Sequence, residues 1–152
     1  MHNVNLIFHE AGHVLFRPFG HFMTVLGGSL FQVLMPLIVM LVFLIKEDNP
    51  FAASVGLWWA GQSLMDIAPY INDARNGQLM LLGGVTGQET IGYHDWETLL
   101  TMMHAMEWDH TLADWVDSTG VIWMVLAWCW GGLVLWRYFH KSSPQCFGAR
   151  IK

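Results

Sequence analysis

The chain reads as an all-α membrane protein, a small bundle of about three transmembrane helices with a short N-terminal helix and amphipathic surface helices. Three observations predict this. Hydrophobic residues make up 54% of the 152 positions and charged residues only 12%, about half the charge that an average soluble domain carries, so there is too little to coat a globule in water. Long stretches lack any Asp, Glu, Lys or Arg. Nine Trp suit the headgroup zone, where an indole satisfies both its apolar body and its N–H.

A single domain spanning residues 1–152 is expected at this length, with four parts: a metal-site half (1–75), an acidic amphipathic loop (76–118), a last membrane span (119–140) and a basic tail (141–152). The segment Asn5 to Phe16 is apolar at most positions but too brief to cross a bilayer, so it is expected as a half-span leaning on the others. Pro18 and Gly20 end it before His21. The first residues lack the basic start and cleavage site of a signal peptide.

From Phe22 to Ile45 no residue is charged, and the run stops at Lys46-Glu47-Asp48-Asn49-Pro50. That is the length and the polar stop of a membrane helix. Inside it, Gly27-Gly28-Ser29 permits close approach of another helix, and Pro36 frees a carbonyl and favours a kink. A second span is expected from Phe51 to about Ala68. Pro69 is then expected to break it, leaving 66–75 as a polar, irregular stretch at membrane depth or its boundary, where such backbone survives only beside protein or water.

After a turn at Gly83-Gly84-Val85-Thr86-Gly87, the segment from His94 to about Val116 sets Trp96, Leu99, Leu100, Met103, Met106 and Trp108 among acids and histidines, predicting one or two amphipathic surface helices. The last span runs from about Thr119 to Phe139, and Cys129 within it is expected to be a buried thiol. Cys146 in the polar tail is not placed to pair with it.

The net charge of -5 is uneven: no Lys or Arg stands between Arg75 and Arg137, where Glu89, Asp95, Glu97, Glu107, Asp109, Asp114 and Asp117 fall. Such a chain would not hold a phosphate backbone, so nucleic acid is not an expected partner. The basic residues cluster at Lys46 and the C-terminal tail, and the positive-inside tendency assigns that face, with the tail, to the cytoplasm.

The residues with chemistry begin at His9-Glu10-Ala11-Gly12-His13. In H-E-x-x-H on a helix the two imidazoles are one turn apart on one face and reach one metal ion, while the Glu is placed to take a proton from water. Two histidines and a carboxylate are costly in lipid unless they serve a site. A catalytic zinc needs a third protein ligand, and Asp73, Asp66 and His94 are the candidates. Non-haem iron also takes two imidazoles and a carboxylate, but the Glu within the motif suits hydrolysis better. His94 beside Asp95 offers either a ligand or an oxyanion contact. The spacing of His104 and His110 does not put them on one helix face. Arg17 and Arg75 read as interface anchors or members of structural ion pairs.

The order HEAGH, then a Gly-rich apolar span, then an Asp after a Pro-broken helix resembles the site-2 protease family of intramembrane zinc metallopeptidases. The resemblance covers the first half of the chain, to Arg75. It implies His9 and His13 as ligands, Glu10 as general base and Asp73, in Asn72-Asp73-Ala74, as third ligand. Asp66, Asn72 and Ala74 depart from the family's N-x-x-P…L-D-G pattern. The resemblance also implies a substrate contact by an amide side chain, for which Gln32 after Gly27-Gly28-Ser29 is the counterpart. Two functions are therefore expected from different classes. One is a membrane zinc metallopeptidase cutting a membrane-embedded peptide; the other is a silent subunit of that fold that lends helices to a larger membrane complex.

Overall fold

The computed structural model describes residues 1–90 and 92–142. Among them the architecture is all-α: α1 (His2–Phe16), a 3₁₀ turn (Arg17–Phe19), α2 (His21–Ile45), α3 (Pro50–Asn72), α4 (Asp95–Met102), a second 3₁₀ turn (Met106–Trp108) and α5 (Asp109–Ser142). Cys146 and the rest of the basic tail beyond Ser142 lie outside the described residues.

Two helical stretches are long and apolar enough to cross a membrane, His21–Ile45 and Met106–Lys141. Only 22% and 17% of their most apolar portions are buried. The core helix of a soluble protein would be covered all round, whereas these present bare apolar sides, including Ile38, Leu41, Trp128 and Trp136.

α1 inverts the usual amphipathic arrangement. Its buried residues are Asn5, His9 and Gly12, while Ile7 and Val14 are exposed. Spacings of four bring Asn5, His9 and His13 onto one face, and that polar face turns inward. Gly12 and Gly27 make this possible, because a Cβ on Gly12 would lie 2.1 Å from the Gly27 carbonyl oxygen and one on Gly27 2.7 Å from that of Gly12. α3 crosses α5 in the same way at Gly61 and Gly120, where an added Cβ on either would lie 2.7 Å from the other's carbonyl oxygen. Such close crossings let helix backbones pack directly against one another.

Three expectations are corrected. Pro69 does not break α3, which continues to Asn72; a proline so near the C-terminus forfeits one internal hydrogen bond and leaves few residues beyond it to disturb. The expected irregular stretch at 66–75 is thus helix, then a turn. No boundary falls near residue 118, because α5 is one helix from Asp109 to Ser142, joining the end of the acidic segment to the last span. Cys129 is exposed rather than buried, on the uncovered side of α5.

α3 and α5 are pinned where they meet the loop. Arg75 donates through Nε to Asp109 Oδ2 at 2.7 Å, and its Nη2 lies 2.7 Å from Oδ1. This two-pronged pair neutralises a fully buried carboxylate at the start of α5, and the neighbouring Asp109 raises the Arg75 guanidinium above its ordinary value. A small apolar core of Ile67, Ile71 and Ala113, covered by Val33, Trp96, Leu112 and Val116, backs the region where the site is built.

Candidate metal centre

The ligand atoms of His9, Glu10 and His13 lie within 4.8 Å of one another, as the helical spacing predicts. What lies behind each imidazole decides what its front can do. His9 Nδ1 is 3.2 Å from Gln32 Oε1. The amide of Gln32 cannot be reversed, since its Nε2 donates to the acceptor-only carboxylate of Asp66 at 3.1 Å. Nδ1 of His9 therefore carries the proton. His13 Nδ1 is 2.8 Å from the Thr24 carbonyl oxygen, which also only accepts, so the same tautomer holds there.

Both Nε2 atoms are left facing forward, and both meet Asp95. Its Oδ2 lies 2.9 Å from His9 Nε2 and 3.3 Å from His13 Nε2. Burial alone would push Asp95 up, but its contacts with His13 and His9 outweigh burial and hold its carboxyl below the usual range. It is an anion at neutral pH. Two imidazole Nε2 atoms and a carboxylate oxygen thus converge, and without an ion a proton holds them together: the Asp95 carboxylate beside it raises the His13 imidazole to about 9. Only a shared proton or a cation reconciles such a set, and two imidazoles with one carboxylate are a zinc-type ligand set with a position left open.

The space in front of the rings is kept clear by glycine. A Cβ on Gly28 would lie 2.5 Å from His13 Nε2 and 2.7 Å from His9 Nε2, where any side chain would collide with both imidazoles.

Asp95 arrives from the far end of the loop that joins α3 to α4. Asp73 organises its start by accepting from the backbone N–H of Gln78 at 3.0 Å and of Leu79 at 2.8 Å. His94 ends it. Fully buried, it caps α4 by accepting from Glu97 N at 3.2 Å through Nδ1, and its ring lies 4.2 Å from that of Tyr70. Tyr70 in turn accepts the backbone N–H of Asp95 at 3.0 Å, and Trp96 donates to Ser29 Oγ at 3.1 Å, docking α4 on α2.

The sequence candidates separate accordingly. His9, Glu10 and His13 come together. Asp73, the third ligand that the resemblance implies, has its oxygens on two backbone amides, and the imidazole it nears is that of His94, at 3.8 Å. The carboxylate touching both rings is Asp95. Asp66 faces His2, Asn5 and Gln32, and Gln32 is engaged by His9 and Asp66 rather than turned to an open groove. His94 Nε2 is the one buried side-chain nitrogen or oxygen without a hydrogen-bond partner among the described residues. With Nδ1 accepting, Nε2 holds the proton, and burial pushes His94 below its ordinary value despite the pull of Asp73, so the ring is neutral. His110 pairs with Asn72, away from the centre, and Arg75 is used by Asp109.

Asp95 and Tyr70 were the residues that sequence reasoning passed over. The signal for Asp95 was present in His94-Asp95, an acidic residue opening a helix after a glycine-rich turn. No family model, curated protein or solved structure matches the chain.

Proposed function

We propose that this chain is a membrane zinc metallopeptidase in which His9, His13 and Asp95 hold the ion, Glu10 is the general base, and the substrate is a peptide in or near the bilayer. The observation that carries the reading is the convergence of two imidazole Nε2 atoms, each on a ring anchored through Nδ1, and one carboxylate oxygen beside the Glu of an HExxH helix. The resemblance of HEAGH and its following span to site-2 proteases points the same way.

Zinc, when bound, supplies a Lewis acid that polarises a carbonyl and acidifies water. Glu10 takes the proton of the attacking water and delivers it to the leaving amide nitrogen, a general base that becomes a general acid. Asp95 contributes the negative charge that holds the cation between neutral rings, and Tyr70 fixes the backbone from which Asp95 reaches.

We read α3 as a third span beside α2 and α5. Gln32 lies roughly 16 Å along α2 from its start, about half of a hydrocarbon core some 30 Å thick, so His9 sits near mid-bilayer. Helical peptide bonds are shielded by their own hydrogen bonds, and a substrate segment must unwind there to present a carbonyl. Iron is the alternative ion for the same three ligands; the adjacent Glu10 favours hydrolysis and therefore zinc.

A second reading, a silent subunit of a larger membrane complex, is favoured by one observation. α1 exposes Ile7, Val14 and Leu15, a face that a neighbouring subunit would cover.

The test uses detergent-purified full chain and a fluorogenic transmembrane peptide with a helix-breaking Asn-Gly centre, reconstituted in liposomes. Wild type is expected to carry about one zinc and to cleave the peptide; Glu10→Gln is expected to keep the zinc and lose cleavage. Cleavage unchanged by Glu10→Gln removes the mechanism. Chelation that dissolves an assembly without any proteolysis supports the subunit.

A further inference from the structure

Between Phe22 and Ile45 the polar side chains are Thr24, Ser29 and Gln32. Gln32 is the most expensive of them to place in an apolar helix, because a primary amide brings two donors and an acceptor that lipid leaves unmade. It is 5% exposed, and its partners lie on two other helices: His9 on α1 and Asp66 on α3. Asp66 is itself held by His2 Nδ1 at 2.9 Å and Asn5 Nδ2 at 3.2 Å. Asn5 is fully buried and fixed from its other end by Trp59, whose Nε1 donates to Asn5 Oδ1 at 2.8 Å.

The donors and acceptors run in one direction. Asp66 can only accept, so Gln32 must present N–H to it and oxygen to His9; His9 must then present Nδ1–H to Gln32 and keep its Nε2 lone pair for the front of the site. Reversing the Gln32 amide breaks both of its hydrogen bonds.

We infer that Asp66 and Gln32 are positioning residues for the metal, a carboxylate–amide relay that locks His9 in its ligating tautomer and orientation. The inference rests on the metal centre proposed above. It assigns Asp66 and Gln32 to the ring behind the ligand rather than to metal or substrate. Partners of this kind hold a ligating imidazole and raise its basicity, and their loss typically costs 10–100-fold in metal affinity.

The experiment measures zinc affinity of the full chain in detergent by competition with a chromophoric chelator, and the visible absorption of the cobalt-loaded chain as a readout of ligand geometry. Gln32→Leu is expected to weaken zinc by roughly 10–100-fold and to alter the cobalt spectrum, with helix content unchanged by circular dichroism. The double variant Gln32→Glu with Asp66→Asn conserves charge and reverses the upper link, so that an amide on α3 donates to a carboxylate that still accepts His9 Nδ1–H. It is expected to bind zinc at least as tightly as wild type, since a carboxylate makes the imidazole more basic; a role in helix packing alone predicts no such recovery above Gln32→Leu.

Wild-type affinity and spectrum in Gln32→Leu, or a double variant no better than Gln32→Leu, overturns the relay while the metal centre stands. Wild-type chain that takes up neither zinc nor cobalt overturns the centre and the relay together.

Discussion

Gly28 stands directly before His13: a Cβ added to it would lie 2.5 Å from the imidazole Nε2. In an ordinary helix, replacing Gly by Ala stabilises by roughly 0.5–1 kcal/mol. Here the sign reverses, because the new methyl takes the space that both imidazole Nε2 atoms face. Gly28→Ala is expected to lower zinc affinity at least tenfold and to reduce thermal stability. Gly132→Ala on α5 is the control, since nothing lies within 4 Å of its added Cβ, and it should leave zinc affinity unchanged and stability equal or higher. Equal zinc binding by Gly28→Ala and wild type would show that the rings do not use that face.

Asp95 and Asp73 make opposite predictions when truncated. Asp95→Ala removes the carboxylate that touches both imidazoles and is expected to cost more than the 10–100-fold typical of a supporting residue. Asp73→Ala instead removes the acceptor of the amides of Gln78 and Leu79, two hydrogen bonds worth roughly 0.5–1.5 kcal/mol each. It should lower the melting temperature while the folded chain still binds one zinc. Equilibrium dialysis beside thermal denaturation separates the two, and zinc loss in Asp73→Ala with retention in Asp95→Ala would restore the assignment that the resemblance implies.

The half of the site within one helix was legible in the sequence, because His9, Glu10 and His13 are related by a period that the α-helix fixes. The third proposed ligand was not. Asp95 is brought to His9 by a turn at Asp73, by the cap at His94 and by Tyr70 across the loop, and the sequence offers several carboxylates with equal claim. The fold shows the same division. The uncharged run ending at Ile45 marked α2 closely, since charge sets where an apolar helix can stop. The end of α3 was misplaced because Pro69 costs little so near a helix terminus, and the single helix α5 was divided because its acidic first turns differ in composition from its Trp-rich remainder.

His94 gives a pH dependence whose sign follows from its burial. The folded ring is neutral and its affinity for a proton is depressed below the ordinary value of 6.5, so on acidification the unfolded chain takes up the proton first. The His94 contribution is fully present above pH 6.5 and is lost progressively as pH falls from there toward the folded value. His94→Asn keeps a side-chain acceptor suited to capping α4 and cannot titrate. Thermal denaturation from pH 8 to pH 5 is expected to show a smaller loss of stability on acidification in His94→Asn than in wild type. Parallel curves would mean that His94 takes up a proton as readily in the fold as in the unfolded chain.

The crossing of α3 and α5 separates stability from metal binding. A Cβ at Gly120 would lie 2.7 Å from both the Gly61 carbonyl oxygen and Met65 Cγ; the Met side chain can swing away, but the carbonyl belongs to helix backbone and cannot. Gly120→Ala must therefore push the helices apart, an overpacking that typically costs about 1–3 kcal/mol, more than the intrinsic gain of Ala over Gly in a helix. α5 contributes none of His9, Glu10, His13 or Asp95, and the groups behind the ligands lie on α1, α2 and α3. Gly120→Ala should thus lower the melting temperature in detergent while the folded fraction binds zinc within about threefold of wild type, a difference well under the 1.4 kcal/mol of a tenfold change. A tenfold or larger loss of affinity would mean that α5 braces the ligands through α3, and that the α3–α5 crossing belongs to the architecture of the metal centre.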